Sequence, residues 1–215
     1  MEILYQDDVL LVFNKPSRLL SVPGRGPDKQ DCLSARAQAR WPDALIVHRL
    51  DYDTSGILLM ARGIEAQRAL NRAFETRLVH KRYVAVVDGV LEAAPEAADG
   101  WGVVDLPLCL DWPNRPLHIV DHLNGKPSRT RWRPYPPGEV GGAPATRVDL
   151  EPVTGRSHQL RVHMQALGHP ILGDTLYASA AAQARAERLL LHACELAIAH
   201  PLSGELLTFR SPPPF

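Results

Sequence analysis

No apolar run in the chain approaches the ~18 residues that a bilayer-spanning helix needs. The N-terminus, Met1 to Asp8, is acidic rather than basic and then apolar, so neither a membrane span nor a secretory leader is expected. Cysteine is sparse. Cys32, Cys109 and Cys194 are odd in number, scattered, and form no C-x-x-C pair, which argues against a disulfide framework and for reduced thiols in the cytoplasm. His158 and His163 stand five apart and H-E-x-x-H is absent, so no metal is expected. Gly24 and Gly26 lack Walker spacing, and Ser55 sits in T-S-G rather than G-x-S-x-G, which leaves a P-loop and a hydrolase elbow unsupported. Net charge is missing as well: 24 Lys+Arg balance 24 Asp+Glu. A binder that relies on bulk positive charge is thereby excluded.

What is present is unevenly spread. From Tyr83 to Asn114 there are six acids and no lysine or arginine, while Leu123 to Tyr135 holds Lys126, Arg129, Arg131 and Arg133 and no acid. A further basic cluster comprises Arg68, Arg72, Arg77, Lys81 and Arg82. Arginine outnumbers lysine 20 to 4, and a guanidinium is the better fork for phosphate and the better stacking partner for bases. Alanine and proline are plentiful too, so nucleotide composition accounts for the same bias equally well.

The patterning predicts strands at 3–5, 9–13, 45–47, 57–60, 83–87, 128–132, 146–150, 189–192, 196–199 and 206–209. Helices are expected over 31–40, capped by Asp31 and closed by Pro42, over 64–77 with Ala66, Leu70, Ala73 and Phe74 as the apolar stripe, and after Ser157 as cap. Residues 22–27 read as a basic loop suited to touching a polyanion, 91–100 as an acidic surface connection, and 111–116 as irregular because of its prolines. With no repeat, low-complexity tract or linker, residues 1–215 read as one domain. Many strands, few helices and hairpin spacing point to α+β with a largely antiparallel sheet.

The stretch with most chemistry per residue is His48-Arg49-Leu50-Asp51-Tyr52-Asp53-Thr54-Ser55-Gly56, between two short apolar runs. On their own, Asp53 to Gly56 fit a plain turn as well as a site. Asp51 and Asp53, with Arg49 beside them, offer carboxylate chemistry, because an aspartate held by a guanidinium stays ionised and oriented.

This loop resembles the signature of the RluA family of pseudouridine synthases. Asn14-Lys15-Pro16-Ser17 resembles that family's K-P motif, Lys81-x-Tyr83-x-Ala85 its tyrosine strand, Thr154-Gly155-Arg156-x-His158-Gln159-Leu160-Arg161 its arginine motif, and Leu190-Leu191-His192-Ala193 its C-terminal motif. Arg18 departs from the glycine expected after the K-P motif and puts the local turn in question. The resemblance implies the pseudouridine synthase catalytic fold, a curved mixed sheet flanked by helices and loops around a central cleft, with no S4 domain in front. It implies base flipping followed by an isomerisation that needs no cofactor. Asp51 is then the essential carboxylate, Tyr83 the ring against the uracil, Arg156 the partner of Asp51, and Arg49 the side chain that fills the vacated stack. Lys15, Arg25, Arg115 and Lys126 become candidate phosphate contacts, and His48, His158 and His192 are assigned to structure. Val104 to Leu108, Asp111 to Pro116 and Gly125-Lys126-Pro127 resemble the branch acting on the tRNA anticodon stem-loop and on a hairpin of large-subunit rRNA. The small size of a lone catalytic domain favours a monomer, and the cysteine usage a cytoplasmic one. A non-catalytic RNA-binding or RNA-remodelling module and a nucleosidase releasing free uracil are the competing readings.

Overall fold

The computed structural model describes residues 1–94 and 99–215, which form two compact units. The middle of the expected acidic connection, residues 95–98, lies outside the described residues. One unit comprises residues 1–81 and 192–214, the other residues 82–191 with Phe215.

The first unit opens with β1 (Glu2–Gln6) and β2 (Leu10–Lys15), followed by the short helix α1 (Leu33–Gln38), β3 (Ala44–Ile46), β4 (Ser55–Arg62) and α2 (Ile64–Glu75). Between β2 and α1, the basic loop closes on itself: Gly24 N donates to Lys29 O at 2.7 Å and Gln30 Nε2 to Gly26 O at 2.7 Å. α1 starts one residue later than Asp31 predicts. Cys32 is the cap, its sulfur accepting from Ala35 N at 3.4 Å, because the Asp31 carboxylate is taken by Arg36 at 2.7 Å. In α2, Ala66 and Leu70 are buried and Ala73 and Phe74 pack beside them, as the helical spacing predicts.

The second unit begins within β5 (His80–Asp88) and continues through β6 (Gly102–Asp105), β7 (Leu108–Leu110), β8 (His118–Val120), β9 (Arg129–Pro134), β10 (Gly138–Val140), β11 (Ala143–Pro152), α3 (Gln159–Ala166) and α4 (Ala180–Ala184). The chain then returns to the first unit as β12 (Leu191–Ala199) and β13 (Leu206–Arg210). β12 unites the two strands expected at 189–192 and 196–199.

In the first unit β2 lies between β1 and β4, and β4 is flanked by β12, with β3 also on β4 and β13 on β12. Pairing is antiparallel except for β4 with β12, so this sheet is mixed. Leu10, Val12, Ile57 and Leu59 face Leu70, Leu196 and Ile198, while Leu11, Phe13, Leu58 and Met60 are equally buried on the opposite face. Burial on both faces explains why 57–60 reads as an unbroken apolar run instead of an alternation.

In the second unit the order is β5-β11-β9-β6, all antiparallel, with β10 on β11. β9 and β11 are the arms of the hairpin expected from 128–132 and 146–150. Val148, Leu150, Trp132 and Ala85 form its core with Leu160 and Met164 of α3. β7 and β8 make a separate two-stranded ribbon. Few helices, mixed and antiparallel strands and open sheets give the α+β class that the strand count predicts.

Candidate active site

Residues 47–54, which carry Asp51, connect the antiparallel strands β3 and β4. The loop is held by the end of β2 and the segment that follows it. Lys15 is 0% exposed, and its ammonium donates to the carbonyls of Leu19 at 2.8 Å, Pro16 at 2.9 Å and Tyr52 at 3.2 Å. Ser17 Oγ donates to Asp53 O at 2.7 Å. Ser21 Oγ donates to Leu50 O at 2.7 Å and accepts from Leu50 N at 3.1 Å, with Leu50 buried. Carbonyls on both sides of Asp51 are therefore pinned. Arg18 occupies the intervening turn at φ 59, the left-handed conformation that glycine adopts most readily, so the turn survives the departure from glycine.

Burial corrects one expectation. Lys15 cannot meet a phosphate, since its ammonium is enclosed and turned to backbone carbonyls; it builds the loop instead. Asp51 is half-buried and Arg49 is exposed.

Two histidines brace the loop from behind. Leu59 N donates to His48 Nε2 at 2.9 Å, and the imidazole stacks on Phe74 with centroids 4.8 Å apart. Burial, with a smaller contribution from the Lys81 charge, pushes the His48 pKa down to about 3, so the ring is neutral and Nε2 is free to accept. His192 Nε2 lies 3.1 Å from the Ser211 carbonyl, which can only accept, so that nitrogen carries the proton. Nδ1 bonds Ser55 Oγ at 2.8 Å. Next to Ser55, Gly56 has φ +110, and a Cβ there would lie 2.3 Å from Ala193 O, so only glycine lets β4 approach β12 this closely.

In the second unit Tyr83 is half-buried on β5, opposite Leu150, and packs on the main core. Arg156 is exposed in the turn before α3. Its N–H donates to Gln159 Oε1 at 3.1 Å, and Nε approaches Pro127 O at 3.4 Å. Gln159 is buried and holds the whole turn: Oε1 also accepts from Thr154 Oγ1 at 2.7 Å, and Nε2 donates to Arg129 O at 2.9 Å. Ser157 does not cap the helix. His158 takes that place at φ 56 with no side-chain cap bond, and Gln159, the first helical residue, reaches back to accept from Arg156 N. Arg161 pairs with Asp174 at 2.7 and 2.6 Å with both side chains almost fully buried, a bidentate bond inside the fold.

Among the other expected RNA contacts, Arg25 and Lys126 are exposed, and Arg115 lies with its guanidinium 4.7 Å from the Trp112 ring centroid. Most of the basic segment 123–135 is neutralised from elsewhere. Arg129 pairs with Asp105, Arg131 with Asp99 and Glu151, and Arg133 with Asp149. Sequence reasoning gave no role to Ser17, within the K-P motif, or to Ser21 just after it; hydroxyls within reach of a polar loop are the signal that marks them. Among the described residues no group of three or more His, Cys, Asp and Glu gathers as a metal site would. Nor is any described helix long and apolar enough to cross a membrane.

Comparison with known proteins gives these motifs their setting. A family model described as RNA pseudouridylate synthase matches residues 9–166. The chain is 52% identical over 213 residues to the dual-specificity RNA pseudouridine synthase RluA of Escherichia coli (strain K12), covering 99% of this chain and 93% of that protein. Its namesake in Vibrio vulnificus (strain CMCP6) is 50% identical over 213 residues, covering 98% of this chain and 82% of that one. The solved structure of human RNA pseudouridylate synthase domain containing 1 matches with a TM-score of 0.79 at 30% identity, over 100% of this chain and 84% of its own. A match that runs through the Asp51 loop, the Tyr83 strand and the Arg156 turn, at about half identity over nearly the whole length, leaves one conclusion: the chain belongs to the RNA pseudouridylate synthase family, in its RluA branch.

Proposed function

We propose that this pseudouridine synthase isomerises uridines in two RNA classes, the first nucleotide of the tRNA anticodon loop and a hairpin loop of large-subunit rRNA. The carrying observation is the 52% identity over 99% of the chain to a relative whose name states dual specificity. We assign Asp51 as the carboxylate that acts on the flipped nucleotide, Tyr83 as the ring against the uracil, Arg156 as the guanidinium that pairs with Asp51, and Arg49 as the filler of the stack. The target atom is unreachable inside a stacked strand, so extrusion has to precede chemistry. Pinning of the backbone on both sides of Asp51 supports this reading, because a carboxylate must be held within a fraction of an ångström to be effective. Arg25, Arg115 and Lys126 are assigned to the RNA backbone. Residues 1–215 are proposed to work as one catalytic domain, monomeric and cytoplasmic.

Tritium release from 5-labelled uridine in an anticodon stem-loop and in an rRNA hairpin tests the assignment. Asp51→Asn and Asp51→Ala are expected to lose at least about a thousandfold in kcat while still binding RNA. Full turnover by Asp51→Ala overturns the catalytic role, and release of free uracil in place of the C-linked nucleoside favours a nucleosidase.

A further inference from the structure

Trp112 is 66% exposed although the Arg115 guanidinium lies over its ring, and it stands at the tip of the β7–β8 ribbon. The tip is a fixed turn. Asp111 N donates to Leu117 O at 2.9 Å, Asn114 N to Asp111 O at 3.1 Å, Leu117 N to Asn114 O at 3.1 Å, and Asn114 Nδ2 to Asp111 Oδ2 at 2.9 Å. The ribbon gains a third partner at Lys126, whose N and O bond Leu108 at 2.8 and 3.0 Å. The ribbon is tied through Tyr177 to His158, in the turn that carries Arg156. His118 N donates to Tyr177 Oη at 2.9 Å, His158 Nδ1 bonds the same oxygen at 2.6 Å, and Leu108 packs on Val162 and Tyr177.

Charge narrows the occupant. Arg115 and Lys126 have no acidic partner among the described residues, unlike Arg129, Arg131 and Arg133. Of the nearby acids, Asp111 is bonded to Asn114, and Asp121 is turned onto its own loop, accepting from Leu123 N and Asn124 N. A flat aromatic face under one such cation, with a second on the same ribbon, suits a polyanion with unstacked bases.

We propose that Trp112, with Arg115 across its ring, is a stacking platform for an unpaired nucleobase of the RNA substrate, separate from the uridine that reacts. It rests on the reading that the substrate is an RNA loop. The platform selects and orients RNA. It takes no part in bond breaking, and the ribbon ties its position to the Arg156 turn. A fixed tip favours this role, since little conformational freedom is lost when a base lands on it.

Kinetics on the anticodon stem-loop and the rRNA hairpin decide the matter. Trp112→Ala is expected to raise KM and the Kd for RNA by about tenfold to a hundredfold, with kcat held within about twofold and the melting temperature unchanged. Trp112→Phe keeps a π-face and is expected to recover most of the affinity. Wild-type Kd and KM in Trp112→Ala overturn the platform, as does a loss confined to kcat. Unchanged RNA affinity with an altered oligomeric state also overturns it, and marks the tryptophan as a protein contact. If wild-type protein modifies neither RNA, the target assignment fails on its own, and the same variants are then compared on the RNAs that pseudouridine mapping shows the protein to modify.

Discussion

Lys15 and Lys126 both stand before a proline, and the fold gives them opposite work. Lys126 is exposed, whereas the Lys15 ammonium is enclosed among three carbonyls and its charge is spent on holding the Asp51 loop. Hydrogen bonds from a charged donor contribute more than neutral ones and leave costly orphans when lost. His48 shows a second use of burial, because the fold needs the ring neutral to accept from Leu59 N. Its folded pKa of about 3 lies below the ordinary 6.5, so the unfolded chain binds the proton more readily. The stability that His48 secures is therefore complete above pH 6.5 and lost as pH falls toward 3. Urea titrations are expected to show about 3 kcal/mol of this loss near pH ~4.5. His48→Gln, which keeps an acceptor but cannot titrate, is expected to flatten that part of the profile.

At the level of elements, the approach of β4 to β12 is the tightest joint behind the loop. Gly56 combines φ +110 with an Ala193 carbonyl where a Cβ would go, whereas Gly63 has φ +78 and open space around it. Gly56→Ala is expected to cost ~3 kcal/mol or more and Gly63→Ala only ~1 kcal/mol, because the first adds a backbone clash to the same conformational strain. Thermal melts of the two variants, side by side, check the difference; equal losses would show that β12 can move away. The α3 turn follows another logic. Buried Gln159 bonds the turn from inside, so Arg156 is positioned by backbone, not by a capping serine.

Across the whole molecule, zero net charge does not mean that every cation is matched. Acids of 83–114 and basics of 123–135 look segregated along the chain, but β6 and β9 pair antiparallel and bring Asp105 to Arg129. Asp99, in the segment before β6, reaches Arg131. Much of the apparent basic patch is thus internal complementarity. Arg25, Arg72, Arg77, Arg115 and Lys126 have no acidic partner among the described residues. RNA affinity is expected to fall with salt at a log–log slope of about −2 to −4, as three to five phosphate contacts require. Lys126→Ala should flatten that slope by about 0.7 while Arg129→Ala leaves it nearly unchanged. Filter binding across a salt series measures both, and equal slopes for all three proteins would remove Lys126 from the RNA surface.

The longer strands of both units, the amphipathic α2 and the loop bearing Asp51 were legible in the chain, because apolar runs, helical spacing and turn residues act locally. Short strands were not: β6, β7, β8 and β10 have three or four residues each and owe their form to partners far along the sequence. Helix starts were misplaced at Asp31, whose carboxylate pairs with Arg36, and at Ser157, where His158 in the left-handed conformation takes the cap position. Motif order determined the family and named Asp51, Tyr83 and Arg156 as candidates. Tertiary structure alone decided which charges are available. Whether a lysine meets water or three carbonyls, and whether an arginine meets a carboxylate, depends on what the fold packs around it, and no local pattern encodes that.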